Sequence, residues 1–205
     1  MKKRVLITGF PPFGKSTVNS SIMACNNLNN LAILDHDIIA AEIPLHYKKI
    51  KASIEKAIEE FEPSIVISTG QSNRSMISIE RVTINIADVN KVVYNCGSKP
   101  VDERLIKDGA AAFFSTLPIK KIRTNLEIQG IPCEISNTAG TFGCNQVFYY
   151  LMHYLKNKEK SIPAGFIHVP SLPEQVIGKL VPSMFLDLIT KSLKIAIETT
   201  IIESK

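Results

Sequence analysis

Short apolar runs rich in β-branched residues alternate along this chain with longer segments whose apolar side chains recur at helical spacing. Residues 4–9, 38–45 and 64–69 are runs of the buried-strand type. Residues 21–31 and 47–61 between them carry helical patterns, the second ending before a proline. Because strand, helix and strand follow one another in this order, the sequence predicts a parallel sheet with helices on both faces.

The second half of the chain continues this alternation after a more irregular middle. Residues 76–86 predict a longer strand, and residues 92–94 predict a strand or hairpin arm beside it. Two further strands are predicted over residues 134–137 and 165–169. Three further helices are predicted: from Pro118 to Gly130 with Thr116 as a cap candidate, over residues 144–156, and from about Met184 with Ser183 as a cap. We therefore expect one α/β domain over residues 1–205, a three-layer α/β/α sandwich with an open, mostly parallel, twisted sheet.

Composition limits the class of protein further. With 205 residues, 45% of them hydrophobic, the chain is long enough to bury one proper core. The apolar run near the N-terminus is about five residues long, which is too short for a signal-peptide core or a membrane span. A soluble, cytoplasmic protein without a membrane partner is therefore expected.

Charge and cysteine spacing argue against nucleic-acid and metal-binding classes. The net charge is +5, but the lysines fall in small groups without interleaved exposed aromatic residues. This pattern favours solvated helix faces, and no nucleic-acid partner is expected. The four cysteines show no CxxC or CxxH spacing, so no metal is expected and reduced thiols are the default.

The loop after the first predicted strand has the letters of a phosphate-binding loop. Residues 9–16 read GFPPFGKS and match the pattern GxxxxGK[ST]. Such a loop points successive backbone N–H groups at phosphates, but Pro11 and Pro12 have none, and two phenylalanines place bulk where phosphate must approach. An NTPase stays as an alternative. Phe10 and Phe13 at the carboxyl edge of a sheet fit the aromatic wall of a ligand site, or simply anchor the loop in the core.

The most informative stretch is residues 136–145, where a strand ends, small residues turn the chain, and Cys144 stands in the first turn of a helix. The helix dipole and the free N–H groups of a first turn favour a thiolate over a thiol. The same N–H groups can stabilise an oxyanion formed beside the sulfur. Cys144 is therefore a candidate nucleophile, whereas Cys25, Cys96 and Cys133 are expected to be small core residues.

A thiol nucleophile needs a base that can also protonate a leaving amine, which points to histidine. Of the four histidines, His168 stands near the end of a short apolar strand, at the edge where parallel sheets form sites. Glu80 lies in a β-branched run, and a carboxylate on a buried face is costly unless it is paired. These residues suggest a triad with Cys144. A satisfied core histidine and an ion pair of Glu80 with Arg81 are the competing interpretations.

Together these segments resemble the pyroglutamyl-peptidase I (pyrrolidone-carboxylate peptidase) family of cysteine peptidases. The motifs that carry the resemblance are Thr8-Gly9-Phe10 with Pro12-Phe13-Gly14, residues 78–85 around Glu80, residues 115–118, residues 136–145 around Cys144, and residues 165–170 around His168. The resemblance places the family's triad on Glu80, Cys144 and His168. It implies a single α/β domain, often assembled as a homotetramer, that acts on N-terminally pyroglutamylated peptides without metal or cofactor.

The resemblance also implies a mechanism and a pocket. The Cys144 thiolate would attack the carbonyl that joins pyroglutamate to the next residue, and His168 would protonate the departing amine and then activate water. The implied substrate-binding residues are Phe10, Phe13 and Phe142 around the ring, with Asn19 and Gln71 near the lactam. Such walls accept a neutral lactam but cannot solvate the two charges of an open N-terminal glutamate.

Several positions depart from the family pattern. They are the loop 71–74, which is shorter and less glycine-rich, Lys15 in place of a common glycine, Gly143 in place of an aliphatic residue, Thr83 in place of an alanine, and Asn90 with Lys91 where an arginine is common. A related α/β hydrolase or binding protein with altered specificity is therefore the other open alternative.

Overall fold

The computed structural model describes residues 3–89 and 92–204, which form a seven-stranded sheet, a separate two-stranded sheet and helices packed around them. The strands are β1 (Lys3–Gly9), β2 (Ala32–Ile33), β3 (His36–Glu42), β4 (Ile65–Ser72), β5 (Ile77–Glu80), β6 (Val82–Ile84), β7 (Ala112–Phe114), β8 (Cys133–Ser136) and β9 (Ala164–Pro170). The helices are α1 (Ser20–Leu28), α2 (Ile50–Phe61), α3 (Ile119–Ile128), α4 (Gly143–Asn157) and α5 (Leu186–Glu203), with a short 3-10 turn at Pro173–Gln175.

The large sheet has the strand order β2-β3-β1-β4-β9-β5-β8. Its centre is parallel: β1 pairs with β3 and β4, and β4 pairs with β9 so that Gly70 lies opposite His168. β5 runs antiparallel to β9 and parallel to β8, and the short β2 runs antiparallel to β3. The carboxyl ends of β1, β4 and β9 therefore meet at one edge, where parallel sheets form their sites.

Helices cover both faces of this sheet. On one face α5 packs against both α1 and α3, and the three helices bury Leu28, Leu126 and Leu193. On the other face α2 packs on α4 and buries Ile54 and Phe148. The expected three-layer α/β/α sandwich with a mostly parallel sheet is confirmed.

The helix patterns explain this packing. In α2, Ile50, Ile54 and Ile58 recur every four residues and are fully buried. Burial of each isoleucine stabilises the fold by roughly 2 kcal/mol. The helix ends at Phe61, because its C-cap residue Glu62 adopts a left-handed backbone with φ 43° and Pro63 cannot continue the helix. The prediction of a helix over residues 47–61 is therefore right at its end, but its start is three residues too early, since α2 begins at Ile50.

The prediction of one long strand over residues 76–86 is wrong. The run divides at Arg81, whose N–H donates to the Ser136 carbonyl at 2.8 Å while its own carbonyl accepts from the Ser115 N–H at 2.8 Å. The part before Arg81 is β5 of the large sheet, and the part after it is β6, which pairs antiparallel with β7. Residues 92–94 form no strand, and β7 takes the place beside β6 that they were predicted to fill.

Two predicted helix caps are also wrong. The N-cap of α3 is Pro118 and not Thr116, because the Thr116 hydroxyl instead donates to the Ala164 carbonyl at 3.2 Å at the start of β9. The N-cap of α5 is Phe185, since Ser183 forms an isolated bridge with Ser171. In both cases, pairing with a distant segment replaces the local capping bond.

Candidate active site

Two of the residues singled out from the sequence lie on adjacent strands. Glu80 is the last residue of β5, and His168 lies on β9, next to it in the sheet. Oε1 of Glu80 lies 2.7 Å from Nδ1 of His168. The Glu80 side chain is fully buried and His168 is almost so. A carboxylate this deep needs such a partner, and the short contact fixes the orientation of the imidazole ring.

Cys144 reaches the same place from the first turn of α4. Its sulfur lies against the backbone of β4, because a Cβ built on Gly70 would stand 2.7 Å from Sγ of Cys144 and 2.8 Å from the ring of Phe166. Gly70 is the register partner of His168. The missing side chain at Gly70 therefore lets the thiol approach the strand pair that carries the histidine.

The electrostatics of the three groups are coupled. Burial alone would lower the pKa of His168, but the charge of Cys144 and hydrogen bonding to Cys144 and Glu80 outweigh it and raise this pKa to about 9. The imidazole is therefore protonated at neutral pH. Since Nδ1 faces Glu80, Nε2 is the ring nitrogen left for the sulfur.

The four cysteines all lie among the described residues, and all are free thiols. Cys25 is buried as expected, and burial raises its pKa to about 12. Cys96 and Cys133 were also expected in the core. This is wrong for Cys96, which is exposed in a turn, and Cys133 is only half-buried. Cys144 is partly exposed and is the thiol whose charge acts on His168.

Two of the three phenylalanines predicted to form an aromatic wall, Phe10 and Phe13, follow the end of β1. Phe10 is buried, and its ring lies between 3.5 and 3.8 Å from the points where side chains on Gly70 and Gly143 would begin. Phe13 is half-buried and lines a cavity of about 980 Å³. Phe142 is the N-cap residue of α4 and lies two residues before Cys144 in the chain.

The two predicted amides occupy different positions. Asn19 is the N-cap of α1: its Oδ1 accepts from the Ser21 N–H at 3.0 Å, and its Nδ2 donates to the Pro11 carbonyl at 3.0 Å. It therefore supports the aromatic loop from behind. Gln71 lines the cavity, and its Oε1 accepts from the Ser20 N–H at 3.0 Å. Contact of either amide with a bound lactam stays a prediction.

The geometry of residues 9–16 does not fit a phosphate-binding loop. The helix begins only at Ser20, and the hydroxyl of Ser16 donates to the Val18 carbonyl at 2.8 Å. Gln175 also donates to that hydroxyl, at 2.9 Å. A phosphate loop needs its helix directly after the lysine and serine, with backbone N–H groups pointing inward.

Three neighbours of the site were not predicted from the sequence. Arg74 donates from Nη1 to Oε1 of Glu80 at 2.7 Å. Tyr94 packs its ring on Phe142, with centroids 4.4 Å apart, and lines the cavity. Asn145 is buried directly after Cys144. Asn145 could have been recognised as a polar residue inside the apolar pattern of α4. Arg74 and Tyr94 stand in irregular segments, where no pattern marks them.

Asn145 holds the start of α4 on β6. Its Oδ1 accepts from the Thr83 hydroxyl at 2.7 Å and from the Ile84 N–H at 2.9 Å. Its Nδ2 donates to the carbonyls of Ile84 and Ile86, both at 2.9 Å. The departure at Thr83 thus adds a hydroxyl donor to this cluster, beside the turn that carries Cys144.

The other departures have local explanations or none. At Gly143 the side chain of Leu45 occupies the space that a larger residue would fill. Lys15 is exposed at the rim of the cavity. Asn90 and Lys91 lie outside the described residues. Within residues 3–89 and 92–204, no helix is both long and apolar enough to cross a membrane.

The chain is similar over nearly its whole length to known peptidases. The family model described as pyroglutamyl peptidase matches residues 3–203. The pyrrolidone-carboxylate peptidase of Fusobacterium nucleatum is 47% identical over 96% of this chain and 92% of its own length. The crystal structure of pyroglutamyl peptidase I from Bacillus amyloliquefaciens superposes with a TM-score of 0.94 at 43% identity, covering 98% of this chain and 95% of that one. A mutant pyrrolidone carboxyl peptidase from Pyrococcus furiosus gives 0.95 at 38% identity, covering 98% and 100%.

Proposed function

The chain belongs to the pyroglutamyl peptidase family of cysteine peptidases, and we propose that it cleaves the bond after an N-terminal pyroglutamyl residue with Cys144 as nucleophile, His168 as general acid and base, and Glu80 as the group that orients His168. The observation that carries this assignment is the contact chain from the carboxylate through Nδ1 to the thiol, in a protein of this family. These residues fill the three roles of a triad for acyl transfer: a nucleophile, a base that can return its proton to the leaving group, and a group that orients the base.

The reaction proceeds in two halves. The Cys144 thiolate attacks the pyroglutamyl carbonyl carbon, and N–H groups at the start of α4 stabilise the oxyanion. The C–N bond breaks as Nε2 of His168 gives its proton to the departing amine, which leaves a thioester. Nε2 then takes a proton from water, whose oxygen attacks the thioester and releases pyroglutamate. The proton on His168 and the thiolate are thereby restored.

Selectivity in this proposal comes from burial. Phe10, Phe13 and Phe142 surround the neutral five-membered ring, and Asn19 and Gln71 remain the proposed amide partners of the lactam. An open glutamyl residue would carry an ammonium and a carboxylate into an apolar wall without compensating charge. A related hydrolase with altered specificity would lack this discrimination.

The proposal includes the setting in which the enzyme works. We expect a cytoplasmic homotetramer that acts on pyroglutamylated peptides, with no nucleic-acid or membrane partner. The family resemblance supports the assembly, and the four free thiols fit a reducing compartment.

The test compares Cys144→Ser with Cys25→Ser on a pyroglutamyl fluorogenic amide and its free-glutamyl analogue. Cys144→Ser is expected to lose at least about a thousandfold in kcat/KM, because the nucleophile is removed. Cys25→Ser is the matched control: it changes a buried thiol on α1 that does not contact His168. Full activity in Cys144→Ser would refute the mechanism, and equal turnover of the two amides would refute the selectivity.

A further inference from the structure

An arginine outside the proposed triad binds the triad carboxylate. Arg74 lies in the bend between β4 and β5, and its Nη1 donates to Oε1 of Glu80 at 2.7 Å. The same oxygen lies 2.7 Å from Nδ1 of His168. One carboxylate oxygen therefore joins the guanidinium to the imidazole. The other oxygen, Oε2, is buried and has no hydrogen-bond partner within the described part of the chain.

The burial of the pair explains why the arginine matters. The Glu80 side chain has no exposed surface, whereas the Arg74 side chain is 29% exposed. A carboxylate in such a place stays ionised only beside a positive charge. His168 supplies that charge only while it is protonated, and in the proposed reaction it gives its proton to the leaving amine. Arg74 keeps its charge throughout, because a guanidinium does not deprotonate in proteins.

We propose that Arg74 is a positioning residue that holds Glu80 ionised throughout the reaction and thereby keeps a proton on Nδ1 of His168. Without Arg74, the step that makes His168 neutral would leave a buried carboxylate with no cation, and that carboxylate would compete for the Nδ1 proton. Nε2 would then no longer be reserved for exchange with the substrate and water. The inference deepens the proposed function and rests on it.

The same guanidinium also holds the segment that leads to the nucleophile. Nη2 of Arg74 donates to the carbonyl of Thr138 at 2.9 Å. Thr138 lies between β8 and the start of α4, and the Ser136 hydroxyl donates to the same carbonyl at 3.1 Å. A single planar side chain thus fixes Glu80 relative to the approach of Cys144, which suits the rigid fork of arginine better than the flexible stem of lysine.

The charged and titratable groups around this cluster come from four elements. Cys144 on α4 and Glu80 on β5 act on His168. Arg74 stands in the bend before β5, and Glu134 on β8 lies 3.8 Å from Nη1 of Arg74. Glu134 is partly exposed and also accepts a hydrogen bond from the Ser78 hydroxyl. Glu80, at 2.7 Å, is therefore the closer carboxylate partner of Arg74.

The test is Arg74→Gln, with Arg81→Gln as the matched control. Nε of Arg81 donates to Oδ1 of Asn137 at 2.8 Å, so Arg81 contacts the same connecting segment. Among the described residues, the ion-pair partners of Glu80 are Arg74 and His168, and not Arg81. Arg74→Gln is expected to lower kcat/KM roughly 10- to 100-fold. It should also move the alkaline limb of the pH profile upward by about one unit, because neutral His168 beside ionised Glu80 is destabilised without the cation. Arg81→Gln should leave that limb in place.

Arg74→Lys separates charge from geometry. The variant keeps the positive charge, so the alkaline limb should stay close to that of the parent enzyme. Its kcat should fall, because lysine cannot make the two guanidinium hydrogen bonds to Glu80 and Thr138 in the same geometry. An Arg74→Gln enzyme with reduced activity and an unmoved limb would assign Arg74 a merely structural role and overturn the proposal. Thermal unfolding of each variant checks that the fold is retained.

A second readout needs no turnover. Nitrogen NMR of the imidazole, with the His168 signals assigned by comparison with His168→Gln, gives the tautomer and the titration midpoint directly. We expect protonated Nδ1 in the parent and a higher midpoint in Arg74→Gln. An identical titration of His168 in the parent and in Arg74→Gln would overturn the proposed role of Arg74 and leave the proposed function standing. Failure of the parent to cleave pyroglutamyl amides would instead refute the proposed function.

Discussion

Gly70 has no side chain at the point where β4 passes the sulfur of Cys144. Its requirement for glycine comes from this close approach, since any Cβ would stand 2.7 Å from Sγ. Heavy atoms do not approach each other so closely without displacement, so a side chain here would move the thiol away from His168. The absence of a side chain at Gly70 on β4 is thus a condition for the position of the Cys144 thiol on α4.

The first prediction at the residue scale concerns the pH dependence set by His168. The pKa of this imidazole is raised to about 9, so the imidazolium that is the general acid of the proposed mechanism is present at neutral pH and is lost as the pH rises through about 9. The kcat/KM for a pyroglutamyl amide is therefore expected to hold through neutral pH and to fall above about pH 9. Initial rates across a buffer series check it.

His153→Gln is the control for this profile. His153 lies within α4, and burial, which is the largest influence, lowers its pKa, so its titration belongs to a different range. The variant should show the same alkaline limb as the parent. An alkaline limb near pH 7 in the parent would mean that Cys144 and Glu80 do not stabilise the imidazolium as the geometry indicates.

At the scale of elements, α4 and β6 are joined by a cluster of hydrogen bonds around Asn145. Asn145→Ala removes the partners of the Ile84 N–H and of two carbonyls, all in partly buried hydrogen bonds, and should lower the free energy of unfolding by about 3 kcal/mol. Thr83→Ala removes only the hydroxyl donor and should cost about 1 kcal/mol. Urea unfolding followed by circular dichroism measures both.

The comparison of the two variants also carries a functional outcome. Because Asn145 follows Cys144 in the first turn of α4, its loss should reduce kcat/KM, whereas Thr83→Ala leaves the amide and its backbone contacts in place. Equal losses of stability in the two variants would show that the amide is not the main link between α4 and β6.

The same region shows what the sequence pattern could and could not predict. In residues 76–86 the alternating apolar positions shift by one at Glu80 and Arg81, from 77 and 79 to 82, 84 and 86, and this shift is a local sign of the break. The partners of Arg81 across the break lie at positions 115 and 136, far along the chain, and could not be predicted from the pattern. Glu80 was recognisable as a buried carboxylate in need of a partner. Its contact with His168, which is 88 residues away, and with Arg74 could not be derived from periodicity.

At the scale of the whole molecule, the proposed site depends on one reversal of strand direction within the sheet, between β9 and β5. The alternation of strands and helices correctly predicts the parallel centre and the helices on both faces. It does not predict that β5 and β8 run opposite to β9. This reversal places Glu80 beside β9 and lets the chain return from β8 through the Thr138 segment to Cys144, so the triad gathers residues from β5, α4 and β9 at one edge.

The final prediction uses Cys25 as a reporter of the cooperativity of this architecture. Cys25 lies on α1, which packs between the sheet and α5, and Sγ of Cys25 lies 3.4 Å from Oγ1 of Thr69. Burial raises its pKa to about 12, so it is both inaccessible and almost wholly protonated in the native state. In the Cys144→Ser background, iodoacetamide should modify exposed Cys96 rapidly without denaturant and leave Cys25 unmodified.

With increasing urea, the modified fraction of Cys25 should follow the global unfolding curve measured by circular dichroism, because exposure of this thiol requires α1 to leave both the sheet and α5. Mass spectrometry of peptides after a short labelling pulse separates the two cysteines. Cys96 serves as the internal control for reagent activity at every urea concentration. Labelling of Cys25 well below the global transition would show that α1 opens on its own, and that the face of the sheet covered by α1, α3 and α5 is not a single cooperative unit with the rest.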